Sequence, residues 1–119
     1  WFPYVVASSL PPWGEVDVFS QHRRYSGRVF FPPFVAIRRT SSPSDKHRVV
    51  GTIVSGRRNV IVENHLIVLR PHEGGIDECR ILLQHLLSPA INDWLNERIR
   101  CRHLTVEAVK GIPLMRGPA

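Results

Sequence analysis

The sequence predicts an α+β domain: a mostly antiparallel, twisted sheet followed by two or three C-terminal helices packed on it. Three observations predict it. Residues 29–69 consist of short β-branched and aromatic runs separated by Pro, Gly and Ser. Residues 76–99 instead repeat apolar side chains at three- and four-residue spacing. The two patterns follow one another and do not alternate, which argues against a parallel βαβ sheet. With 119 residues, 43% of them hydrophobic and 22% charged, the chain has ordinary composition for one globular domain. It divides into a lead-in segment (1–21), a basic strand-rich part (22–71) and a helical part (76–115).

The elements follow from local signals. Trp1-Phe2-Pro3-Tyr4 and Pro11-Pro12-Trp13-Gly14 form a Pro-rich aromatic segment that packs on the domain through its rings. Glu15–Phe19 alternates, with Val16 and Val18 on one face, and reads as a short strand. His22–Gly27 is a basic turn. Val29–Phe31 and Phe34–Arg39, split by Pro32-Pro33, read as a strand pair or one strand broken at a sheet edge. Thr40–Asp45 is a loop by composition. Arg48–Val54 is a β-branched run, and Ser55-Gly56-Arg57-Arg58 a hairpin-like turn. Asn59–Leu69 is apolar on both faces except at Glu63-Asn64-His65, so it is expected to be one interior strand.

Ile76, Cys79, Leu82, Leu83, Leu86 and Leu87 then mark a first helix. Ser88-Pro89 stops it and starts a second, with Ser as N-cap and Pro in the first turn, carried by Ile91, Trp94, Leu95 and Ile99. Thr105 caps a short third helix ending at Gly111.

No apolar run reaches the roughly 20 residues that a membrane helix needs. The N-terminus shows no charged leader followed by an apolar stretch, and Cys79 and Cys101 lack Cys-x-x-Cys partners. The expectation is a cytoplasmic chain with reduced thiols. Its start at Trp1, without Met, reads as a piece of a longer or processed protein.

Charge is concentrated in one stretch. His22–Arg58 carries nine Lys/Arg and a single acid, Asp45, whereas residues 59–119 hold seven bases and seven acids. Residues 1–21 contain two acids and no base, so the net charge of +6 comes from the one basic segment. A folded basic face is the electrostatic footprint of a surface that meets a polyanion, most often nucleic acid. Arg23, Arg24, Arg28, Arg38, Arg39, Lys46, Arg48, Arg57 and Arg58 fall at strand ends or loop tips, where side chains reach phosphates or base edges. The planar fork of Arg suits phosphate or guanine. A solvated basic rim would give the same count for any one of these residues.

Catalytic constellations are weak. Pro11-Pro12-Trp13 resembles the Pro-Pro-aromatic signature of amino methyltransferases, but that signature needs Asn, Asp or Ser before the prolines to accept from the target amino group. The position is Leu10, and no Gly-rich cofactor loop follows a strand. Glu63 and His65, at i and i+2 on one strand face, with His72 beyond Pro71, are the best metal or acid–base group, but no third ligand has a fixed spacing. Ser41, Ser42 and Ser44 lack flanking glycines of a nucleophile elbow.

Several stretches fit one known pattern. These are Phe30-Phe31-Pro32-Pro33-Phe34-Val35-Ala36-Ile37-Arg38-Arg39-Thr40; Val60–Pro71, centred on Glu63-Asn64-His65-Leu66-Ile67-Val68-Leu69; Leu82–Trp94, reading Leu-Leu-x-x-Leu-Leu-Ser-Pro-x-Ile-x-x-Trp; Arg102-His103-Leu104-Thr105; and Ile112-Pro113-Leu114. Their order, over roughly residues 28–115, resembles the C-terminal target-recognition region of adenine-specific DNA methyltransferases of prokaryotic restriction–modification systems. It is also similar to half of a type I specificity subunit. The chain lacks that family's catalytic domain and the long coiled-coil helices of a full specificity subunit. The resemblance implies sequence-specific duplex DNA recognition by a domain that is not catalytic by itself. It further implies a partner catalytic domain, upstream or in another chain, that holds S-adenosylmethionine; no cofactor is expected in this chain. Asn64 and His65 join the arginines as candidate DNA contacts. Two alternatives remain: a metal-dependent nuclease using Glu63 and His65, and an interaction domain for an acidic protein.

Overall fold

Phe34-Val35-Ala36-Ile37 places four apolar residues in succession, so a strand there needs cover on both faces. A computed structural model, describing residues 1–24, 28–40, 46–72, 75–99 and 104–112, supplies that cover from two sides. The strands are β1 (Phe2–Val5), β2 (Glu15–Val16), β3 (His22–Arg23), β4 (Val29–Phe30), β5 (Phe34–Arg38), β6 (Gly51–Val54), β7 (Val60–Val62) and β8 (Leu66–Leu69). The helices are α1 (Ile76–Leu86), α2 (Pro89–Arg98) and α3 (Val106–Lys110). A single 3₁₀ turn, Ala7–Ser9, lies between β1 and β2.

The fold class is α+β with mostly antiparallel strand pairing and three C-terminal helices, as the sequence predicts. The strands form two sheets and not one: β3-β1-β7-β4 and β2-β6-β5-β8. Two pairings are parallel, β1 with β7 and β2 with β6. Phe34 and Ala36 of β5 face the first sheet, in a core shared with Val5, Leu10, Val54, Val60 and Leu66. Val35 and Ile37 face the helices, in a second core with Cys79, Leu82, Leu83, Leu86 and Leu95. The order is therefore sheet, sheet, helices, with β5 in the middle layer.

Gly51 sets how closely α1 approaches that layer. A Cβ at this position would lie 2.9 Å from Leu83 Cδ1 and 3.1 Å from Val35 Cγ1. The helix ends follow the local signals. Ser88 is the N-cap residue of α2 with Pro89 in its first turn, and the Thr105 hydroxyl accepts from Ala108 N–H at 3.1 Å to start α3. Gly75 N–H is capped by the Glu78 carboxylate of α1 at 2.7 Å.

Three expectations are corrected. Asn59–Leu69 is not one interior strand. It breaks at Glu63-Asn64-His65 into β7, inside the first sheet, and β8, at the edge of the second. Three polar residues in succession would be costly between two apolar layers. The chain turns there instead, with Leu66 N–H bonded to Glu63 O at 3.2 Å. Glu63 and His65 therefore do not share a strand face. Second, Ser55–Arg58 is not a hairpin turn but a crossing from β6 in one sheet to β7 in the other, with Gly56 at φ 126. Third, residues 1–21 are more than a lead-in: β1 lies between β3 and β7, and β2 pairs with β6.

Candidate nucleic-acid interface

The break at Glu63–His65 creates a polar corner with Asn64 and His65 exposed. Glu63 turns its carboxylate inward, accepting from Ala7 N–H at 2.7 Å. Asn64 and His65 are exposed at the tip. Arg39, just past β5, grips the tip from beside: Nε donates to Asn64 O at 3.1 Å, and its backbone N–H donates to His65 O at 2.9 Å. The turn is thus fixed through its backbone and through Glu63, and the Asn64 and His65 side chains are left free to meet a partner.

This tip stands on the wall of a groove of about 1510 Å³ that runs along β7 and β8 towards α1 and α3. Arg28, Arg39, Arg70 and Lys110 line it, together with His65, His72 and His85. Its two acids, Glu63 and Glu78, are both bonded to backbone N–H groups. Arg28 lies over the Phe30 ring, 5.0 Å from its centroid, and Arg70 donates to Phe31 O at 2.5 Å. A basic groove whose carboxylates are engaged elsewhere is suited to a phosphate backbone, with amide and imidazole groups placed to meet base edges.

The basic segment does not act as one surface. Arg28 and Arg39 line the groove with Asn64 and His65. Arg23, Arg24 and Arg58 gather at the other sheet edge, around β3, β1 and the start of β7: Arg23 lies over Tyr4 at 4.4 Å, Arg24 over Trp1 at 5.2 Å, and Arg58 donates to Trp1 O at 3.4 Å. Arg57 beside them is exposed. Arg38 is half-buried and donates to Leu10 O at 3.1 Å, bracing β5 against the segment after the 3₁₀ turn. Lys46 is exposed on the helical side, its carbonyl accepting from Asn92 Nδ2 at 3.1 Å.

Arg48 is a correction. It is 0% exposed. Its Nη1 donates to Asn96 Oδ1 at 2.9 Å and to Ile99 O at 2.7 Å, and its backbone N–H bonds Asn92 Oδ1. A guanidinium enclosed in this way tethers the segment before β6 to α2 and does not reach a phosphate. Composition could not separate it from its exposed neighbours.

Arg70 and Lys110 are groove residues that the charge count passed over, because they fall in the charge-balanced part of the chain. Their sequence signals were modest: Arg70 directly follows an apolar strand run, and Lys110 ends a capped helix. The Pro11-Pro12-Trp13 segment is structural. Trp13 N–H donates to Gly51 O at 2.8 Å and the Thr52 hydroxyl to Pro11 O at 2.7 Å, which seats the segment against β6. Among the described residues, no three His, Cys, Asp or Glu side chains are grouped to hold a metal ion, and no helix is long and apolar enough to cross a membrane. The loop serines, Asp45, Cys101 and His103, and the Pro113-Leu114 ending, lie outside the described residues. Comparison with known proteins finds no family model, no curated protein and no solved structure that matches this chain.

Proposed function

We propose that this chain is a duplex DNA recognition domain of an adenine-specific restriction–modification methyltransferase, not catalytic by itself, acting in the cytoplasm with a catalytic domain that binds S-adenosylmethionine. The observation that carries the DNA reading is the groove beside β8. Arg28, Arg39, Arg70 and Lys110 line it together with an exposed Asn64–His65 tip whose backbone is already held by Arg39. The cations supply sequence-independent affinity and the tip supplies discrimination. The methyltransferase parentage rests on the resemblance over residues 28–115.

The test is selection from a random duplex pool by the full chain, followed by binding titrations across salt concentrations. The expected result is an enriched short sequence, bound with a steep salt dependence that the combined Arg28→Ala, Arg39→Ala and Arg70→Ala variant flattens by about one slope unit per contact. A pool that emerges unenriched, with binding indifferent to salt, defeats the proposal. Salt-sensitive capture of acidic peptides in place of DNA would favour the interaction-domain alternative.

A further inference from the structure

The arginines that the groove leaves out form a second feature with different chemistry. Strand register aligns them: Phe2 pairs with Arg23 and Tyr4 with Ile61, so Arg24, Trp1 and Arg58 fall in one row across β3, β1 and the start of β7. Trp1 is 70% exposed. Arg24 lies over its ring and Arg58 bonds its carbonyl, whereas Arg23 and the Tyr4 ring it covers fall on the opposite face of β1. Among the described residues no carboxylate pairs with Arg23, Arg24, Arg57 or Arg58. None of these residues lines the groove.

We infer that this ledge is a separate binding surface for an unpaired nucleic-acid strand. A duplex presents its phosphates outward and keeps its base faces stacked inside, so an exposed indole on a sheet has little to meet there. An unpaired strand offers both groups together: a base face for the ring, and a phosphate within reach of the flanking guanidinium groups. Aromatic rings interleaved with cations are the general means of holding single strands without sequence preference. Arg24, lying over Trp1, also places its charge beside the ring and not at a distance from it. The inference stands independently of the groove's role in reading duplex DNA.

The experiment titrates the full chain with a twelve-residue oligothymidylate and follows tryptophan fluorescence. Binding should quench Trp1 emission, and affinity should fall with salt. Trp1→Leu should remove that part of the quenching and weaken binding about tenfold, the scale of one stacked base. Trp1→Phe, which keeps a ring, should bind nearly as the parent does. Combined Arg24→Ala and Arg58→Ala should lower the salt slope by about 1.4, since single strands release about 0.7 counterion per contact. The groove variant, with Arg28, Arg39 and Arg70 replaced by Ala, should bind the oligothymidylate unchanged while losing duplex. An equal loss of oligothymidylate binding in the groove variant would overturn the inference. So would an oligothymidylate that leaves Trp1 emission unquenched, or a duplex of the same length that competes as well as the single strand. Failure of duplex binding alone counts against the groove and leaves the ledge result standing.

Discussion

Arg39 holds the Asn64–His65 turn at two points: its Nε donates to the Asn64 carbonyl and its backbone N–H to the His65 carbonyl, at 3.1 and 2.9 Å. One residue at the end of β5 in the second sheet therefore fixes the corner where the chain leaves the first sheet. A tip held through its backbone loses little side-chain freedom until a partner binds. Preorganisation of this kind favours discrimination, because the backbone part of the ordering cost is met in folding.

Asn64→Ala should accordingly act on specificity. If the amide reads a base edge, the variant loses roughly 1–3 kcal/mol on the selected duplex and little on unrelated ones. Its salt slope should match that of the parent chain. Equal weakening on all sequences would place Asn64 among the phosphate contacts. Arg39→Ala should weaken binding to every duplex and also blunt discrimination, because it removes a groove cation and the hold on the turn together.

Arg57 and Arg58 lie away from the groove. Replacing both with Ala should lower the affinity of the chain for polyanions and reduce the salt slope by about one per lost contact. Its discrimination between duplex sequences should be unchanged. A change in the preferred sequence, measured by competition between duplexes, would move these residues into the reading surface.

Arg48→Met should destabilise the fold while leaving the DNA affinity of folded protein intact. The variant removes the buried guanidinium and leaves the partly buried Asn96 and Ile99 acceptors without it. The expected loss is roughly 3 kcal/mol, or on the order of 10 °C in melting temperature. Calorimetry checks the first statement and anisotropy at low temperature the second.

Gly51→Ala should be destabilising although it adds only a methyl group. The new Cβ meets Leu83 Cδ1 and Val35 Cγ1 at 2.9 and 3.1 Å, so either the Leu83 side chain must turn aside or α1 must move away from β6. Overpacking of this kind costs roughly 1–3 kcal/mol. A urea midpoint equal to that of the parent would show that Leu83 can rotate aside freely.

Burial pushes the Cys79 thiol above its ordinary value; the Glu78 charge adds to this and Arg70 opposes it. A thiol whose folded pKa is raised favours folding while it stays protonated. That contribution is fully present below the ordinary thiol value, near 9, and is lost as pH rises through the folded value. We therefore expect stability to decline in alkaline solution, and native Cys79 to alkylate more slowly than the same residue in urea. Cys79→Ser or Cys79→Ala should remove the Cys79 part of the alkaline decline. Mass spectrometry after timed iodoacetamide treatment reads the labelling rate at this residue.

The helical half was legible in the sequence because its signals are local. Apolar spacing, a Ser-Pro start, a Thr cap and a closing Gly each act within a few residues, and α1, α2 and α3 follow them. Both-face apolarity was a poorer guide: it points to Asn59–Leu69 as the interior strand, whereas Phe34–Ile37 occupies the sandwiched position. The concentration of cations before Arg58 was also visible, since counting needs no structure.

Tertiary structure alone decided how those cations are used. Sequence spacing gave no sign that Arg48 is enclosed by α2, that Arg24 and Arg58 meet around Trp1, or that Arg70 and Lys110 line one groove with Arg28. Each arrangement joins residues far apart in the chain through sheet register and layer packing. Which arginine ends in solvent and which in the core depends on what the rest of the fold places over it. The division into two sheets has the same origin. Each strand signal is local, but the choice of neighbour follows from burying β5 on both sides at once.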